Sequence, residues 1–91
     1  MPRYIITYDL HAPGQSYEAL AERIKSYPRW AKLMQSTWSV VTSQTSEQVR
    51  DHLKPALDSN DKLLVGVLGT SAWYGLTSKL TDWLKANAGS A

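Results

Sequence analysis

Arg3-Tyr4-Ile5-Ile6-Thr7-Tyr8-Asp9 is the stretch on which the fold turns. β-Branched and aromatic residues occupy both alternating sets of positions, as in a central strand buried on two sides. Asp9 closes the run, and Pro13-Gly14 within His11-Ala12-Pro13-Gly14 marks a loop.

Working outward, Ser16 can cap a helix over residues 16–27, with Tyr17, Leu20, Ala21, Ile24 and Tyr27 at helical spacing and Pro28 as its stop. Residues 29–43 are extended: Trp30, Lys32 and Met34 alternate with Ala31 and Leu33, and Trp38, Val40 and Val41 form a second β-rich run. A reversal near Gln35-Ser36 makes these two strands a hairpin. Thr45-Ser46-Glu47-Gln48 spells a capping box for a helix over 46–58, whose stripe is Val49, Leu53, Ala56 and Leu57. Pro55 lies inside that helix, where it removes a hydrogen bond and costs about 3 kcal/mol, so a kink or fraying after Lys54 is expected. Asp58-Ser59-Asn60-Asp61 is a turn, and Leu63 to Leu68 is a strand apolar on both sides. A connector carrying Trp73 and Tyr74 leads to a helix over about 77–87 with Leu76, Leu80, Trp83 and Leu84 in its stripe; Gly89-Ser90-Ala91 is expected to be loose. The order is β-α-β-β-α-β plus a helix. That is the ferredoxin-like α+β arrangement, with helices on one sheet face and the other left open. One domain over 1–91 is expected, with its core in 3–69 and the connector and helix in 70–88.

Ninety-one residues make a thin core, and with no cysteine there is no disulfide or thiolate zinc site to reinforce it. Oligomerisation is the remaining common way to stabilise so small a core, and a homodimer is expected. The opening apolar run is too short for a signal peptide and no stretch reaches membrane-spanning length, so a cytoplasmic protein away from membranes is expected.

A net charge of +2 is too mild to imply nucleic acid by itself. The distribution says more. Arg23, Lys25, Arg29 and Lys32 follow one another without an acid, interleaved with Tyr27 and Trp30. Such a run can contact RNA or DNA phosphates while Trp30 stacks on a base; four contacts predict a log-affinity against log-salt slope of about −3 to −4 on duplex DNA. It can equally be a solvated helix face followed by an ordinary strand. Asp9, at the end of a central strand, is an oxygen ligand suited to Mg²⁺ or Mn²⁺ in phosphodiester hydrolysis, or else ties down its loop by accepting amide hydrogen bonds. His11 is a proton shuttle or merely exposed, and His52 beside Asp51 is read as structural. Ser36 has no identifiable histidine partner. The turn at 58–61 is no calcium loop, because Gly69 stands where the bidentate glutamate belongs.

Tyr8-Asp9-Leu10 resembles the end of the first strand of the CRISPR-associated Cas-two proteins, and Gln35-Ser36-Thr37-Trp38 resembles the opening of their third. With Pro13-Gly14-Gln15 and Leu57-Asp58-Ser59-Asn60-Asp61 the order is closer still to a group of small SinR-like bacterial and phage proteins. The resemblance spans roughly residues 4–69. It implies a ferredoxin-like homodimer that handles nucleic acid, either as a metal-dependent endonuclease or as a non-catalytic adaptor. It also implies Asp9 as the metal ligand, one from each subunit across the two-fold axis. The chain departs from the family in lacking an arginine pair after Asp9 and in carrying a tryptophan-bearing connector and helix at its C-terminus. VapD-type toxin ribonucleases share the fold, and a non-enzymatic interaction module is the alternative from another class.

Overall fold

A computed structural model describes residues 1–11 and 17–87. The elements run β1 (Arg3–Asp9), α1 (Glu18–Lys25), β2 (Arg29–Met34), β3 (Thr37–Val41), α2 (Ser46–Leu53), a 3₁₀ turn (Lys54–Ala56), β4 (Lys62–Val67) and α3 (Ser78–Ala86). The four strands form one antiparallel sheet in the order β2-β3-β1-β4. This is the ferredoxin-like arrangement, with the opening strand in the interior as its two-sided apolar pattern requires.

Local chemistry sets the boundaries. The loop signal at Pro13-Gly14, the Ser16 cap and the C-terminal Gly89-Ser90-Ala91 lie outside the described residues. The first helix ends earlier than the expected residue 27. Ser26 and Tyr27 bond back three residues, to the carbonyls of Arg23 and Ile24, because the residue before Pro28 is pushed out of the α region. The capping box forms: the Gln48 amide donates to Thr45 Oγ1 at 3.1 Å, and the Thr45 amide to Gln48 Oε1 at 2.9 Å. Pro55 acts as expected, ending α2 at Leu53 and setting the 3₁₀ turn that follows. The hairpin reverses at Gln35-Ser36, with a bulge between Lys32 and Met34.

The strand register sorts side chains into two layers. Tyr4, Ile6, Trp38 and Val40 face α1 and α2, where they pack with Leu20, Ile24, Val49 and Leu53 in the main core. Arg3, Ile5, Thr7 and Asp9 face the other way. There α3 lies across β2, and Leu84 makes a second, smaller core with Ala31 and Leu33. The C-terminal segment therefore docks on the sheet, but only on its β2 side. Toward β4 the face stays uncovered, and Leu64 is 64% exposed.

Candidate functional site

Asp9 ends β1, opposite Lys62 at the start of β4. Its carboxylate is exposed and has no hydrogen-bond or ion-pair partner among the described residues. It borders a shallow depression of ≈ 240 Å³ lined by Thr7, Tyr8, Asp9, Lys62, Leu63 and Leu64. Among the described residues no three metal-ligating side chains cluster, here or elsewhere. One carboxylate beside a lysine does not make a cation site within a single chain.

Among the described residues it is Asp61 that accepts hydrogen bonds from the segment after β1. Asp61 Oδ1 accepts from the His11 amide at 2.7 Å and from the Tyr17 hydroxyl at 3.3 Å, and Oδ2 accepts from the Asp58 amide at 2.8 Å. The hydrogen bonds from the His11 and Asp58 amides hold its carboxyl below the ordinary value. The turn at 58–61 thus anchors the start of the segment after β1, while the Asp9 carboxylate has no partner among the described residues.

The basic run does not form one surface. Arg23 turns inward, its Nη1 donating to the His52 carbonyl at 2.9 Å. Arg29 lies on the α3 side of the sheet, where Nη1 donates to Asn87 Oδ1 at 3.1 Å. Lys25, Trp30 and Lys32 do come together on the opposite, helix-bearing side. Lys25 Nζ sits 5.3 Å from the Trp30 ring and Lys32 Nζ 5.5 Å from the Trp38 ring. The two indoles are 5.7 Å apart and tilted by 52°. Trp38 is buried in the core, with Nε1 donating to the Tyr8 hydroxyl at 2.9 Å, so it flanks Trp30 with a fixed ring. An exposed cation–π contact is worth about 0.5–1 kcal/mol, against about 1–3 kcal/mol for a base stacked on an aromatic ring. A base can therefore displace Lys25. Tyr27 takes no part in this surface: it is core, bonded to Gln44 Oε1 and set edge-on to His52.

One residue of consequence carried no sequence signal. Arg3, 3% exposed, donates from Nη1 to the Leu84 carbonyl (2.8 Å), from Nη2 to the Gly69 carbonyl (3.0 Å) and from Nε to the Leu68 carbonyl (3.3 Å), with Ser71 Oγ at 3.4 Å from Nη2. It fastens the connector and the C-terminal end of α3 to the sheet. Burial lowers its affinity for the proton. His52 is structural, as its sequence context indicated: Nε2 lies 3.2 Å from the Arg23 carbonyl and 3.1 Å from Ser26 Oγ.

No protein-family model matches the chain, and no curated protein matches it. Among solved structures it is similar to a hypothetical protein from Thermus thermophilus, 20% identical, with a TM-score of 0.62 over 84% of this chain and 94% of that one. The likeness is one of fold. No helix among the described residues is long and apolar enough to cross a membrane.

Proposed function

We propose that the chain is a homodimeric nucleic-acid-handling protein, the role its Cas-two resemblance implies, in which two Asp9 carboxylates meet to hold Mg²⁺ or Mn²⁺. The observation that supports this reading is a free, exposed carboxylate at the end of the uncovered half of the sheet face. An Asp at a strand end with no partner among the described residues is open to a ligand. Two-fold docking of the strip formed by Ile5, Thr7 and Leu64 gives it a counterpart of the same charge. Like charges placed together repel, and a hard divalent cation relieves them while supplying the charge that phosphodiester hydrolysis needs.

Thermal melting and light scattering, each with and without millimolar Mn²⁺, test this. The expected result is a mass of two chains and a melting temperature raised by Mn²⁺, since a ligand that binds only the folded dimer stabilises it by mass action. Asp9→Asn should abolish the Mn²⁺ response and any cleavage of RNA or DNA while leaving the metal-free melting point in place. A dimer that ignores Mn²⁺ favours the second reading, a non-catalytic adaptor, which the lack of a three-ligand cluster among the described residues supports. A single-chain mass with no metal response counts against both.

A further inference from the structure

We infer that Trp30, with Lys25 and Lys32, is a binding site for single-stranded nucleic acid, in which one unpaired base stacks on the Trp30 ring where the Lys25 ammonium now sits. This rests on the nucleic-acid reading above and names its substrate class, but it needs neither Asp9 nor a bound metal.

Trp30 is 38% exposed although it shares a sheet face with the buried Trp38, because β2 is the edge strand and its outer side extends past the cover of α1. Its neighbour is fixed: Trp38 lies beside it on the same sheet face, packed in the core and held by Tyr8. The Lys25 contact marks the open ring face as one that attracts a cation, and its holder is a flexible exposed side chain. Neither Lys25 nor Lys32 is in an ion pair among the described residues, so both are available to phosphate. Trp30 and Lys32 are two residues apart on one strand, about 7 Å, a distance one nucleotide spans. A base stacking on Trp30 frees Lys25 to move to a phosphate. In a duplex the base faces are stacked on one another, so this site offers a duplex only its two cations.

The test is fluorescence anisotropy with a labelled oligothymidylate, a single-stranded RNA and a duplex of equal length, in metal-free buffer with chelator. The single strands should bind about 10-fold more tightly than the duplex, and Trp30→Ala should remove most of that difference. Trp30→Tyr should retain it, which separates loss of stacking from loss of fold. Substituting Lys25 and Lys32 with Ala should flatten the salt slope on single strands by about 1.4, whereas Lys79→Ala, on the exposed side of α3, should not. Nucleic-acid binding that treats single strands and duplex alike, or that survives Trp30→Ala, overturns this site and leaves the wider reading standing. Binding to none of the three probes overturns this site, and the same result repeated with millimolar Mn²⁺ overturns the wider reading as well.

Discussion

Arg3 is a buried cation with no carboxylate partner among the described residues, and its stability rests on how well carbonyl oxygens replace water. The planar guanidinium reaches three carbonyls and a serine at once, and one of those carbonyls, Leu84, belongs to the last turn of α3, where the helix end is electronegative. A lysine ammonium cannot span those acceptors. Arg3→Lys should cost about 1–3 kcal/mol, read as a lowered urea midpoint; an unchanged midpoint would show that the clamp contributes nothing. Asp61 makes a pH-dependent counterpart. Its folded carboxyl titrates below the ordinary value, so its contribution is fully present above the unfolded value and is lost as pH falls through the folded one. The melting-temperature gap between wild type and Asp61→Asn should hold from neutral pH down to about 4 and narrow below that. A gap independent of pH across that range would mean that the ionised form has no special role.

The elements were legible wherever one residue's chemistry dictates the backbone. Thr45 and Gln48 announced their reciprocal cap and Pro55 the end of its helix, whereas Gln35-Ser36 carries no turn signal and the reversal there followed only from the strand patterns on either side. What sequence order concealed was facing. A basic run reads as one patch, yet a strand sends successive residues to opposite sides, so Arg29 parts from Trp30 and Lys32. Arg3 and Arg23 were illegible for a related reason: their acceptors are backbone carbonyls 65 to 81 and 29 residues away, and a carbonyl leaves no mark on a sequence. The Arg23 contact has a reciprocal form. Its guanidinium bonds the His52 carbonyl near the end of α2, and the His52 ring bonds the Arg23 carbonyl near the end of α1. A carbonyl only accepts, so the His52–Arg23 contact is a hydrogen bond in the tautomer that places the ring proton on Nε2. Each helix thus has a donor at its electronegative end supplied by the other. Arg23→Ala should lower stability by about 1 kcal/mol, and hydrogen exchange should quicken at the C-terminal ends of both helices. Quickening in α1 alone would show that the two caps are independent.

At the scale of the whole molecule, the open face is divided. On the β2 side α3 and the Arg3 clamp close it, and Leu84 seals Ala31 and Leu33 from water. On the β4 side Ile5, Thr7 and Leu64 are left, bordered by a pocket of ≈ 110 Å³ that runs under Met34 and Trp73. Met34, Leu64 and Trp73 are exposed large side chains around this strip and pocket, whereas Val67, opposite Tyr4, lies on the helix-bearing face. A stable pair needs to bury about 1,200 Å² in total, or about 600 Å² from each chain, which is roughly a tenth of the 5867 Å² this chain exposes. The uncovered strip and the pocket rim beside it offer a continuous apolar surface for such a contact. For the proposed dimer on this face, Leu64 is the residue that separates assembly from folding. Its side chain points to solvent in the single chain, so a charge there costs the fold little; at a two-fold contact the same charge is desolvated and meets its own copy. Leu64→Lys should therefore halve the mass measured by light scattering at tens of micromolar while the helix content of the chain persists. If the variant keeps the mass of two chains, the contact lies elsewhere, and the meeting of two Asp9 carboxylates across this face goes with it.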